Sequence, residues 1–590
     1  VQVHETQPTP VSRSRRRRRD EAGVATIIVT LVVSFLFAGL AAIAVDLSSA
    51  YANIERVQKA ADAAALAGVT WMPQDITKAT QVAREVAARN GYPNSGRNQV
   101  IVERGKTPSE LKVTIKTSVD NAFGSMIGDA TTSIQRSALA DYTGPQPMGS
   151  PCNALGNEPA GSPGAGPTAS QISGPAGANC PRLPQFWMTV HGPNVYKTQG
   201  DEYHVRTCQG AESECKADKS NEVYRPEGYF LLVRVQAAAI GYPVNLQLYD
   251  PAYVSTGSTC SNAPGSSNVT NNNWNDYATT DARTRYNNAS NEFCSGDDPN
   301  SSLRVGSETA TITSYALRGP TADFNPMSAS PIAGCTRQYP GYTSVTANQL
   351  RKGNGSYNEN LARVFHQWVP LCTFTPTAAG DYYLQVRTNV DIGGSVNDAG
   401  SYKPSNVATS PVTQQGGDDT NVKGNGSNRF AVRAYGAPAA SVSVSAYGKM
   451  PIFANADTAA PIFNLIRVLP GAAGKSLVFK FFDVGDAASS GTLTVLRPTE
   501  ATGDNIKNCL ASGFKTATLA SCSLSGISSG SGWNGQSESI VVPIPANYSC
   551  NYNSSGGCWF RVQVNFGTGS VTDATTWTAS VSGDPVRLLE

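Results

Sequence analysis

Apolar and polar positions alternate with two different periods along the chain. Residues 22–45 form a run of 24 without a charged side chain, and the apolar positions then continue as Leu47, Tyr51, Ile54, Val57, Ala61, Ala64 and Gly68. Steps of three and four place these on one helical face, so one helix is predicted from the apolar run to Gly68. A second helix is predicted from near Pro73. It carries Ile76, Ala79, Val82, Ala83 and Val86 inward and stops at Asn90-Gly91, just before Pro93. Alternating stretches at 99–103, 111–117 and 131–142 then predict three strands. Residues 46–143 are therefore expected to form a small α+β unit.

Beyond this point the period drops to two. Residues 144–184 are dense in Gly, Pro, Ala and Ser and are expected to be a spacer. Strands are predicted at 229–235, 244–249, 382–390, 429–434, 441–446, 477–482, 559–566 and 576–581, with the β-branched and aromatic content of antiparallel sandwiches. Two of them recur at a constant offset of 233: Phe230 to Val235, Gly241 and Val244 to Asp250 align with Phe463 to Val468, Gly474 and Leu477 to Asp483. Tyr383 to Arg387 is similarly matched by Trp559 to Gln563. This predicts a duplicated, jelly-roll-like β-sandwich, 185–437 and 438–590. The first copy is expected to hold an Asn/Ser/Gly-rich insertion at about 255–346. The strand, turn and strand core resembles bacterial pre-peptidase C-terminal domains, a likeness that transfers no site. Trp274 and Tyr277 in the insertion could stack on a sugar or pack the loop itself. The expected fold class is thus multidomain: one transmembrane helix continuing into an α+β domain, then two all-β sandwiches.

Charge and cysteine fix the surroundings. Of the 590 residues 15% are charged, and the net charge is +2. Residues 1–21 hold six Arg and three acids, leaving 40 basic and 41 acidic residues in the rest. A near-neutral body lacks the basic surface that nucleic acid needs, so no nucleic-acid partner is expected. The 12 Cys are Cys152, Cys180, Cys208, Cys215, Cys260, Cys294, Cys335, Cys372, Cys509, Cys522, Cys550 and Cys558, all on the far side of the apolar run. Their spacing does not suit zinc and is expected to give disulfides in an oxidising compartment.

The apolar run of 24 residues would extend about 36 Å as a helix, enough for a ~30 Å hydrocarbon core. Arg13 and Arg15 to Arg19 precede it, which predicts a cytoplasmic tail at 1–21, a transmembrane helix at 22–45 and an extracytoplasmic bulk. A cleaved signal is the alternative, disfavoured by the length of the run. A prepilin leader would place an acid where Ile28 stands. Ser34, Ala38 and Ala42 recur every four residues and could pair two copies of the helix, giving a homo-oligomer, or simply reflect an Ala-rich span. Ala61, Ala64 and Gly68 are small enough for another backbone to pack closely and predict a tightly docked partner, the alternative being high helix propensity alone.

Arg19-Asp20-Glu21-Ala22-Gly23, the apolar span, Ala44-Val45-Asp46-Leu47 and the small-residue stretch from Gln58 to Gly68 together resemble the N-terminal segment of the Flp pilus-assembly TadE/TadG-like family. The resemblance covers about residues 19–68. It implies a bacterial cell-envelope protein tied to tight-adherence pilus assembly, with the membrane and pilus-assembly or other envelope proteins as partners. Some members of that family carry a metal-binding Asp-x-Ser-x-Ser loop; Asp46-Leu47-Ser48-Ser49-Ala50 departs from it at Ala50.

Catalytic sets are not apparent. The four His are His4, His191, His204 and His366, in no zinc-protease spacing. Gly526-Ile527-Ser528-Ser529-Gly530 fits a nucleophile-elbow pattern without its strand-turn-helix setting. An envelope hydrolase would need His366 or Ser528 in a cleft beside a carboxylate. Asp250, Asp483 and Asp486 lie in turns and could offer oxygens to calcium, a possible cofactor, or bond their own backbone. The expected function is non-enzymatic: a single-pass, membrane-anchored envelope protein that presents two sandwiches outside the cell. The alternative is a surface adhesin binding glycan or protein through loops of the first sandwich.

Overall fold

The computed structural model describes residues 14–589 apart from 73–75, 107–109, 129, 143–145, 157–172, 175–179, 181–185, 256–296, 300–308, 322–324, 344, 346, 351–352, 366, 393–411, 414–416, 437, 455–459, 486–489, 552–555, 566–573 and 583–585. The chain divides into two compact units, one formed by 1–142 with 586–590, the other by 143–585.

In the first unit, helix α1 (Ser14–Val69) runs without a break through the apolar stretch and on to the small-residue segment. It ends just before Pro73, which cannot continue an α-helix without losing a backbone hydrogen bond. Helix α2 (Ile76–Arg89) follows, burying Ala79, Ala83 and Ala87 at steps of four. Strands β1 (Gln99–Arg104), β2 (Glu110–Asp120) and β3 (Thr131–Tyr142) form an antiparallel meander. The far half of α1 buries Val57, Ala60, Ala61, Ala64, Ala65 and Val69, while Leu111, Val113 and Ile115 of β2 are fully buried.

The second unit is built of two extended sheets. The first copy supplies β4 (Pro147–Met148), β5 (Phe186–His191), β6 (Tyr229–Val235), β7 (Val244–Tyr249), β8 (Thr313–Arg318), β9 (Pro331–Tyr339), β10 (Trp368–Phe374), β11 (Gly380–Arg387) and β12 (Gly426–Gly436). The second supplies β13 (Val442–Tyr447), β14 (Met450–Ala454), β15 (Ile462–Arg467), β16 (Ser476–Phe482), β17 (Gly491–Leu496), β18 (Cys509–Gly513), β19 (Ala517–Leu519), β20 (Ser523–Ile527), β21 (Ser537–Pro543), β22 (Trp559–Asn565) and β23 (Ala574–Val581). One sheet has the order β9-β8-β11-β6-β13-β4-β15-β22-β17-β20, the other β10-β7-β12-β5-β14-β23-β16-β21-β18-β19.

Leaving aside β18 and β19, the strands of the two copies correspond one to one in chain order, and each sheet reads the same from both ends. The centre of the first sheet departs from a simple duplication. There β13 of the second copy pairs with β6 of the first, Val442 opposite Val235, while β4 of the first pairs with β15 of the second, Met148 opposite Ile466. Each copy lends its first strand to the other. A single apolar cluster accordingly runs from Leu231 and Leu246 through Phe430 and Leu465 to Phe479 and Trp577. The sandwiches expected at 185–437 and 438–590 are therefore not separate bodies: they share both sheets and one core.

Three stretches take roles that alternation does not reveal. Residues 147–148, within the expected spacer, form β4, with Met148 fully buried. The expected insertion contains β8 and β9; every residue of β8 is buried, so no polar face marks it as a strand. Lastly, β24 (Val586–Leu588) leaves the second copy altogether and pairs with β3 of the first unit, Val586 opposite Tyr142 and Leu588 opposite Ala140. The second unit is thus inserted between two neighbouring strands of the first.

Disulfides join Cys152 to Cys180, Cys208 to Cys215, Cys335 to Cys372, Cys509 to Cys522, and Cys550 to Cys558. Cys260 and Cys294 lie outside the described residues.

Candidate functional site

The chemistry-bearing feature of the first unit is α1. One window of this helix has a mean hydropathy of 2.7 and is not buried by the protein, which makes α1 the one helix among the described residues long and apolar enough to cross a membrane. On it, Ser34 and Ala38 are exposed and Ala42 is half-buried. Ala61 and Ala64 are fully buried, and Gly68 is buried beside them. At Gly68 an added Cβ would lie 2.7 Å from Leu111 Cδ2, 2.8 Å from the Ala79 carbonyl oxygen and 3.0 Å from Ala83 Cβ. The small-residue segment therefore docks on α2 and β2 of its own chain. Further along the helix, the Gln58 amide donates to Asp62 Oδ1 (2.8 Å) and to the Ser137 carbonyl on β3 (3.2 Å), fixing the register of helix against sheet.

Asp46, the first charged residue after the apolar run, grips a turn of the same unit. Its Oδ1 accepts from the Ala122 amide at 2.8 Å, and its Oδ2 from the amides of Phe123 (3.1 Å) and Gly124 (2.7 Å). These amides open the short 3-10 turn Gly124–Ile127 between β2 and β3. A carboxylate that takes three successive backbone donors does the work of a helix N-cap from another element. Separations of 76–78 residues leave no local signal for it in the sequence.

The acidic turns of the second unit are equivalent in detail. Asp250 (φ 51°) and Asp483 (φ 61°) both adopt the left-handed conformation and are fully buried. Their amides donate to the carbonyls of Gln367 and Gln536, at 3.2 and 3.0 Å. Asp483 Oδ1 accepts from the Gly535 amide at 2.7 Å. The first copy adds Asp297, whose Oδ2 and Oδ1 take the amides of Val254 (2.7 Å) and Arg429 (2.8 Å). Burial first, and then the charge of Asp250, hold Asp297 well above the usual carboxylate range. The carboxylates of Asp483 and Asp297 bond backbone amides, the use that Asp finds in turns. Asp486 lies outside the described residues, as do His366, Trp274 and Tyr277. Cys208, Glu212 and Cys215 also converge, but their two sulfurs are joined to each other.

A buried group that sequence reasoning passed over surrounds Asp201. Its Oδ1 accepts from the His204 amide (2.9 Å), the Tyr203 amide (3.2 Å) and the Tyr229 hydroxyl (2.8 Å), and its Oδ2 from the His191 amide (2.9 Å). Burial nevertheless raises its pKa to about 6. Both imidazoles are held down to about 3, His191 by burial and then Arg429, His204 by burial and then Arg387, Lys449 and His191. Both side chains are buried, at 1% and 2% exposure, and burial favours their neutral form. Ser528 shares a hydrogen bond with the Ser531 hydroxyl at 2.8 Å.

Residues 23–79, which take in α1 from the start of its apolar run and the opening of α2, match the Tad family model, Flp pilus-assembly TadE/G-like. No curated protein and no solved structure matches the chain.

Proposed function

We propose that this chain is a non-enzymatic, single-pass membrane protein of the bacterial envelope, associated with assembly of the Flp, or tight-adherence, pilus. Its N-terminus lies in the cytoplasm and the double sandwich outside. The match at 23–79 carries this reading, because it falls on the helix that combines a membrane-length apolar run with a tightly folded outer half. Six Arg before the run support the orientation. The five disulfides among the described residues support an oxidising exterior. The non-enzymatic assignment draws on Ser528, which bonds a second serine rather than an imidazole, and on His191 and His204, which are sealed in the core.

Crosslinking in native membranes, followed by identification of the captured proteins, tests this role. Pilus-assembly components should be recovered, and deletion of the gene should impair piliation. Unchanged pili and unchanged surface attachment after deletion would refute it. Intact pili with lost attachment would favour the surface adhesin instead.

A further inference from the structure

Between Asp120 and Asp129 the chain runs Asn121-Ala122-Phe123-Gly124-Ser125-Met126-Ile127-Gly128, eight residues without a charge. This turn joins β2 to β3 and closes through Gly128, which takes a left-handed conformation (φ 93°) and returns its amide to the Gly124 carbonyl. Phe123 stands 44% exposed at its apex. The protein leaves close to half of this residue uncovered, and apolar surface left in water is unfavourable.

The position of the turn indicates what covers it. Asp46 grips the amides of Ala122, Phe123 and Gly124, and Asp46 is the residue at which the uncharged stretch of α1 ends. The turn is thereby held at the level where α1 leaves the hydrocarbon. Leu47 and Tyr51, the next large apolar residues of α1, are 55% and 63% exposed at the same end of the unit. At 1.5 Å per residue Tyr51 stands about 7 Å beyond Asp46, within the depth of a headgroup layer. Aromatic rings favour that layer because it accepts an apolar body beside polar surroundings. From Asp46 the strand β3 climbs along α1, passing Gln58 at Ser137, so the insertion points Tyr142 and Val586 lie at the end of the sheet away from the turn.

We propose that the turn 121–128 is a lipid-contacting tip, with Phe123 seated at the headgroup and acyl boundary of the bilayer that α1 crosses. The assignment rests on the membrane-anchor reading. With Asp46 as the clamp, it gives the extracytoplasmic unit a second foothold on the membrane, so that α1 cannot swivel freely beneath it.

The test uses the full chain at one copy per lipid nanodisc, with a nitroxide at Phe123→Cys, Leu36→Cys or Lys507→Cys in turn. The unsubstituted chain, treated with the same label, supplies the background from native thiols. Oxygen, which concentrates in lipid, and a water-soluble nickel chelate report where each label sits. The label at 123 should show a several-fold loss of nickel accessibility relative to 507 while oxygen accessibility stays high, with 36 deeper still. Nickel accessibility at 123 equal to that at 507, with 36 protected, would overturn the tip and leave the anchor standing. Low accessibility of 123 to both reagents would mean cover by protein, which also overturns it. A nickel-accessible label at 36 would remove the anchor and the tip together.

Discussion

A Cβ at Gly68 has nowhere to go, because the Ala79 carbonyl oxygen is backbone and cannot swing aside. Gly68→Val should therefore cost about 2–3 kcal/mol by overpacking, despite removing a helical glycine. Faster hydrogen exchange of the α2 amides in the full chain would report it. His191 and His204 make a second residue-scale prediction. Both are depressed to about 3 in the folded state, against 6.5 for the free side chain. The unfolded chain thus binds these protons first as pH falls, so their contribution is complete above pH 6.5 and is lost progressively towards pH 3. Asp201, raised to about 6, has the opposite sign, since its folded form takes the proton more readily and gains stability on acidification. The histidine part is isolated by comparison with the double variant His191→Gln/His204→Gln. Between pH 6 and 4 its stability should fall less steeply than that of the parent, by up to about 1.4 kcal/mol per pH unit for each imidazole removed. Denaturant titrations at fixed pH would measure the two slopes; parallel slopes would refute the assignment.

At the scale of elements, disulfides secure segments that lack a regular pattern. Cys335 on β9 and Cys372 on β10 tie the edge strands of the two sheets across a separation of 37 residues. Loop-closure arguments assign such a crosslink about 4 kcal/mol. Cys335→Ser with Cys372→Ser should lower the denaturation midpoint accordingly, whereas losing Cys208–Cys215, which closes a separation of 7, should matter less. The pairings themselves were not legible, because spacing alone does not choose among connectivities. What was legible had a strong period: α1, α2, the meander β1 to β3, and strands such as β16, whose first six residues alternate between half-buried and buried positions. β8 escaped because both its faces are covered, β4 because two residues carry no period, and β24 because its partner is more than 400 residues away. The equivalence of Asp250 and Asp483 was visible in the repeat, yet the clamp at Asp46 was not, since Asp46 and the turn it holds belong to elements that only the folded unit brings together.

On the scale of the whole chain, exchange of the first strands decides what can fold alone. A segment cut to the second copy, 438–582, would keep β13 but lose β6, the strand that β13 pairs with, and β15 would lose β4 from its edge. In the other sheet β14 would lose β5, whose Met188 and Trp187 stand opposite Ile452 and Phe453. Long bare edges and an opened apolar face favour aggregation over a stable half. The segment 143–585 keeps every one of these pairings and should unfold in a single cooperative transition, with tryptophan fluorescence and circular dichroism coincident. The excised copy should show neither cooperative unfolding nor dispersed amide resonances. Independent folding of 438–582 as a monomer, at a midpoint near that of 143–585, would mean that the exchanged strands are decoration on two self-sufficient sandwiches. The shared cluster running from Leu231 to Trp577 argues that they are instead the seam through which one core is closed.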